Sequence, residues 1–208
     1  MRLCPGRGGA VWLTAALLFV SLRPCAAWLL DGGPTQHLGV QLKLNSSLEW
    51  AAEPFTIPND GYATSLGAAV ARGMGPADAG FDIYLTATPY GLPGSAIAKL
   101  SQPLIPLNTQ YVYYYGNLDS PVFLAANTVY FVVLMPTSSS FIGSLSLSNT
   151  AGLYYGLGTG NDGETWYQLA RPVCVRVDGW YVPEPCSLAM VFSGVGVGLA
   201  LRRRRVER

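Results

Sequence analysis

Between residues 36 and 179 the apolar residues recur at every second position, in short runs broken by glycine and proline, with no convincing helical spacing. This period constrains the fold more than any other feature. FDIYLTAT, residues 81 to 88, sets Phe81, Ile83 and Leu85 on one face and Asp82, Tyr84 and Thr86 on the other. LGVQLKL, residues 38 to 44, does the same with Leu38, Val40, Leu42 and Leu44. NTVYFVVLM, residues 127 to 135, is nearly all apolar and predicts a central strand buried on both faces.

The other runs fit the same pattern. LEWAAEPFTI (48 to 57) predicts a strand interrupted at Pro54, and the PNDG that follows is a turn signature. TSLGAAVA (64 to 71) and QYVYYYG (110 to 116) are further strands, the latter with aromatics on both faces. IAKLSQPLIPL is a strand that Pro103 and Pro106 confine to an edge. FIGSLSLS (141 to 148) alternates with its serines expected in solvent. AGLYYGLG, ETWYQL and PVCVRVDG complete about nine to eleven strands, the number of a β-sandwich or jelly roll.

Charge argues against a nucleic-acid binder. The formal net charge is +1, yet Trp28 to Tyr181 holds five basic residues (Lys43, Arg72, Lys99, Arg171, Arg176) against ten acidic ones. A middle of about −5 has no electrostatic footprint for nucleic acid. The remaining arginines lie at the two ends, where they address a membrane.

Those ends read as processing segments. Arg2 and Arg7, the apolar run AVWLTAALLFVSL (10 to 22) and the small residues Cys25 and Ala27 form the three parts of a secretory signal peptide, residues 1 to 27, with cleavage expected between Ala27 and Trp28. Such a leader implies the secretion translocon as a partner. At the other end, Ser187 to Leu201 is about 22 Å long as a helix, short against the roughly 30 Å hydrocarbon core. Arg202, Arg203, Arg204 and Arg205 would stop it on the cytoplasmic side. It is a temporary transmembrane anchor rather than a full span.

Val182-Pro183-Glu184-Pro185, the apolar run and the arginine cluster, in that order over residues 182 to 208, resemble the PEP-CTERM sorting signal of Gram-negative bacteria. Cys186 stands where that family commonly has Ser or Ala. The resemblance implies recognition of the motif by an exosortase, a membrane-embedded cysteine protease, while the tail sits transiently in the inner membrane. It further implies delivery of the domain at 28 to 181 to the cell surface or extracellular matrix. Within that domain FDIYL, PYGLPGSAIAKL with Pro93-Gly94, SPVFLAANTVYFVVL with Leu124, Ala125, Asn127, Thr128 and Tyr130, NDGETWYQL and PVCVRVDG resemble the choice-of-anchor R type of exported domain. That group implies a β fold and no particular biochemistry.

Candidate sites are few. No catalytic residue is assigned: the chain has one histidine, His37, no G-x-S-x-G, no phosphate loop and no zinc spacing. No cofactor is expected. Asn161, Asp162 and Glu164 in the loop GTGNDGETW offer oxygen ligands for Ca²⁺, although a glycine-rich turn explains them better. Cys174 in VCVRV is expected to be a small core residue. Tyr113, Tyr114, Tyr115, Tyr154, Tyr155, Trp166 and Tyr167 are candidates for a sugar-stacking platform, with core packing the better account of most. Two functions follow: a structural or adhesive protein of the cell surface or its polysaccharide matrix, or a carbohydrate-binding or hydrolytic domain delivered by the same route.

Overall fold

In the computed structural model the described residues are 26–32, 42–44, 49–74, 80–88, 91–102, 108–137, 142–148, 155–160 and 163–183. All but Pro183 belong to one compact unit, Ala26–Val182. Among them twelve strands are formed, one more than the upper expectation: β1 (Ala26–Asp31), β2 (Leu42–Leu44), β3 (Trp50–Phe55), β4 (Gly61–Met74), β5 (Phe81–Ala87), β6 (Ala96–Gln102), β7 (Asn108–Leu124), β8 (Tyr130–Pro136), β9 (Ile142–Leu145), β10 (Leu157–Thr159), β11 (Tyr167–Gln168) and β12 (Val175–Tyr181).

The strands make two antiparallel sheets of six. The first runs β1-β12-β4-β9-β2, with β7 on the other edge of β4. The second runs β11-β10-β3-β8-β5-β6. The expected alternation is realised in β5, where Phe81, Ile83 and Leu85 enter the core. They meet Ala51, Phe55, Tyr130, Val132 and Leu134 of their own sheet, and Leu66, Val70, Val175 and Val177 of the other. This shared core makes the domain an all-β sandwich. β6 is an edge strand, as expected, although it ends at Gln102 and Pro103 and Pro106 lie outside the described residues, and β8 is the central strand its apolar run requires.

Three expectations are corrected. Pro54 does not interrupt β3: it pairs opposite Phe131 of β8, while the described pairing with β10 runs only from Trp50 to Ala52, leaving one flank of β3 without a described neighbour at the proline. β7 runs beyond the expected end at Gly116, through Pro121 to Leu124, because the register with β4 shifts between Asn117 and Val122 and the proline sits inside the shift. The serines after β9 are not in solvent. Ser146 and Ser148 are 1% exposed, because their backbones are tied to neighbours on both sides. The Ser146 N–H donates to the Ala69 carbonyl, its carbonyl accepts from Cys174, and the Ser148 N–H donates to Pro172.

One core residue is charged by type. Glu53 shares the inward face of β3 with Ala51 and Phe55 and is fully buried. Its Oε2 accepts the Val173 N–H at 2.7 Å, joining the two sheets, while Oε1 has no hydrogen-bond partner. Burial pushes its pKa up from 4.5 to about 8, against the smaller opposing effect of the Val173 bond.

Where the chain leaves the domain, β1 lies antiparallel to β12, so Ala26 faces Trp180. The PNDG turn holds this end: the Asp60 carbonyl accepts the Val182 N–H and Asp60 Oδ1 accepts the Ala126 N–H, both at 2.7 Å. Nearby, Asn127 takes a φ of 56° and its N–H donates to Ile57, while the Tyr130 hydroxyl accepts the Ala125 N–H. The LAANTVY stretch therefore encodes a tight turn into β8.

Candidate functional site

The outer face of the second sheet carries its own apolar layer. Ala52, Phe131 and Val133 point away from the sandwich core and are nevertheless buried, packed under Trp50, Tyr84, Val129, Leu157 and Trp166. Two loops rise beside this layer: residues 91–95, containing Pro93-Gly94, and the segment containing Gly163 to Trp166. Between them lies a cavity of about 280 Å³, lined by Trp50, Tyr84, Thr86, Pro93, Gly94, Val133, Met135, Gly163 and Trp166 among others.

The aromatic walls are held by backbone geometry. The ring of Trp50 lies against Gly163, where an added Cβ would come within 2.7 Å of it, and Gly163 has a φ of +83°. Only glycine meets both conditions without strain. Gly94 packs against the Ala87 carbonyl, which a Cβ would meet at 2.5 Å. The Trp50 and Trp166 rings stand 6.5 Å apart and tilted by 60°. Among the described residues, two polar atoms here have no hydrogen-bond partner: Thr86 Oγ1 and Trp50 Nε1. Asp82 and Lys99, beside Tyr84, are paired with each other. Lys99 Nζ lies 2.7 Å from Asp82 Oδ2 and 5.4 Å from the Tyr84 ring centre. The bond to Asp82 is the largest cause of the raised Lys99 pKa.

The first sheet has a second aromatic face. Tyr113 and Tyr115 stack at 5.4 Å, and the Arg176 guanidinium lies 4.2 Å from the Tyr113 ring and 4.6 Å from Trp28. Arg176 Nε donates to Asp31 Oδ1 at 2.6 Å, and Nη1 donates to the Tyr115 hydroxyl. Partial burial opposes its charge, but the bonds to Tyr115 and Asp31 outweigh burial and raise the pKa. Ser65 Oγ donates to Asp178 Oδ2 at 2.9 Å beside them. Further along, Tyr62 packs against Phe123 at 5.5 Å and Trp180 at 5.8 Å.

The seven aromatics considered from sequence do not form one platform. Tyr113 and Tyr115 lie on the outside of the first sheet, Tyr114 turns inward and meets Phe81 edge-on at 6.4 Å, and Trp166 belongs to the groove of the second sheet. Tyr155 and Tyr167 are exposed, and Tyr154 lies outside the described residues. Trp50 and Tyr84, which sequence reasoning passed over, are the partners of Trp166. Their alternation with core residues was visible, but not that a distant loop would cover that face.

The remaining candidates fall as follows. Of the Ca²⁺ set, Glu164 is exposed while Asn161 and Asp162 lie outside the described residues, as does His37. Among the described residues no three acidic, His or Cys side chains group as metal ligands. Cys174 is free and buried, on the opposite face of its segment from Val173 and Val175, with Sγ 3.6 Å from the Gly32 carbonyl. Burial raises its pKa. Ala27 and Trp28 both lie in β1, paired with Gly179 and Asp178. Val182 and Pro183 end the described chain, and Glu184, Pro185 and Arg202 to Arg205 lie outside it. Among the described residues no helix is long and apolar enough to cross a membrane.

Fold and groove together define an all-β sandwich with a ligand-sized aromatic recess on one outer face. No family model matches the chain, and no curated protein matches it. Among solved structures the chain is similar to the infectious bursal disease virus VP2 subviral particle, at 12% identity and a TM-score of 0.27. That match covers 88% of this chain and spans 49% of the viral one.

Proposed function

We propose that this chain is an exported protein of the cell surface or extracellular matrix, sorted by an exosortase through its C-terminal tail, with the β-sandwich as a structural or adhesive module. The observation that carries the reading is the ordered tail: Val182-Pro183-Glu184-Pro185, an apolar run too short to hold a membrane firmly, then Arg202 to Arg205. Two features of the domain support it. Among the described residues the last strand ends at Tyr181 and Val182 still bonds the domain, and in the sequence the Pro-Glu-Pro motif follows directly. A cut after Ala27 would leave Trp28 to Asp31 still paired with β12.

The division of labour is physical. The apolar run positions the motif at the outer membrane surface, the arginines resist its withdrawal, and two prolines keep the motif extended for a protease groove. Replacing Pro183, Glu184 and Pro185 with alanines leaves export intact and blocks processing. Unprocessed protein then accumulates in the inner membrane with its arginines attached. Mass spectrometry of both termini reads the outcome, and a triple-alanine variant processed like the parent would refute the sorting reading. The carbohydrate-binding alternative is favoured by one observation, the aromatic groove of the second sheet.

A further inference from the structure

We infer that the groove between the Pro93-Gly94 loop and the Gly163–Trp166 segment is a binding site for one ring of a neutral polysaccharide. The inference deepens the adhesive reading of the domain and rests on it.

The lining matches the two-sided chemistry of a sugar ring. A pyranose offers a flat C–H face and a rim of hydroxyls. Trp50, Trp166 and Tyr84 offer ring faces and edges for the first, with Val133 and Met135 as further apolar contact. For the second there is Thr86, which lines the groove, is only 4% exposed and leaves Oγ1 unpartnered. The buried Trp50 Nε1 is a second unpartnered group in the same wall, and it can only donate. Native proteins rarely leave buried polar atoms unpaired, and a hydroxyl-bearing ligand can supply both a donor and an acceptor once a small shift of the wall opens these atoms, which are closed to solvent in the empty groove. A purely apolar guest would supply neither.

Charge and size narrow the ligand. Among the described residues no Asp, Glu, Lys, Arg or His lines the groove, and the nearby Asp82 and Lys99 are bonded to each other. The described lining thus carries no counter-charge for a uronate or sulfated sugar, and desolvating such an anion there would cost binding. A volume of about 280 Å³ lies at the small end of ligand pockets and admits one ring rather than an oligomer. Adjoining rings of a chain would lie outside it.

The test uses the full chain in a detergent without a sugar headgroup. Cellohexaose and laminarihexaose are the neutral probes, hexagalacturonate the charged one and decanoate the apolar one, with calorimetry and tryptophan emission as readouts. At least one neutral hexasaccharide is expected to bind and shift the emission, about tenfold or more tighter than hexagalacturonate. Trp166→Ala should weaken it about tenfold. Thr86→Val, which keeps the shape of the side chain, should weaken it severalfold without changing the circular dichroism. Tyr115→Ala, on the other sheet, should leave it unchanged. The inference is overturned if neither neutral probe binds, if hexagalacturonate or decanoate binds more tightly, or if binding survives Trp166→Ala and Thr86→Val. It is equally overturned if Tyr115→Ala abolishes binding. A negative result leaves tail processing intact, and a failure of tail processing leaves binding intact.

Discussion

Glu53 ties a strand of one sheet to the Val173 N–H of the other, and its burial makes the domain sensitive to pH. In the unfolded chain the carboxyl releases its proton near 4.5, in the folded domain near 8. Between those values the folded state holds a proton that the unfolded state has lost. Stability therefore falls as pH rises across this window, by up to about 1.4 kcal/mol per unit. Glu53→Gln, which keeps an acceptor for Val173, should flatten the slope in denaturant midpoints measured between pH 5 and pH 8. A slope unchanged in the variant would assign the effect elsewhere. Gly163 is the second residue with a sharp expectation. Gly163→Ala forces a side chain into left-handed backbone and against the Trp50 ring, and should lower stability by roughly 1–2 kcal/mol and alter tryptophan emission. The left-handed glycine belongs to a sequence already legible as a turn. Its contact with Trp50 did not, since the two are far apart in the chain.

Among the elements, β1 is one of the edge strands held by a single described partner. It lies at the edge of its sheet, paired only with β12 among the described strands. Arg176 of β12 holds it by bonding Asp31 and stacking against Trp28, with Tyr113 and Tyr115 of β7 completing the surround. Arg176→Ala should therefore speed amide hydrogen exchange in Ala26–Asp31, while lowering global stability by only about 1 kcal/mol, as befits a partly exposed cation. Equal acceleration in β8 would mean that the whole domain, not this edge, had been loosened. Proline makes the same lesson clear at this scale. A local reading breaks a strand at Pro54, yet whether a missing N–H matters depends on whether a neighbour stands opposite it. β10 stops short of that position, and no local pattern records where a neighbour stops.

The whole domain is closed at one end by contacts between distant parts of the sequence. Val182 bonds Asp60, Asp60 bonds the turn before β8, and Ala26 faces Trp180. A chain of residues 28 to 182 should fold alone, show a β-rich circular dichroism and be indifferent to reductant, since Cys174 is the free thiol of the described domain. Ending it at 179 instead should lower its melting temperature, because the Val182 bond and the last pairs of β12 with β4 are removed. Equal melting of the two would show the closure to be energetically idle. By itself the sequence determined the all-β class, the inward face of β5, the central, doubly buried place of β8 and the acidic balance of residues 28 to 181. All of these follow from side-chain period and charge, which act over a few residues. Only the tertiary structure decided that Ser146 and Ser148 are buried, that the seven candidate aromatics divide between two faces, and that Trp50, Tyr84 and Trp166 share one groove. The physical reason is that these outcomes depend on which strand lies beside which, and on which loop folds over the outer face of a sheet. Those are contacts between residues tens of positions apart, and no local period encodes them.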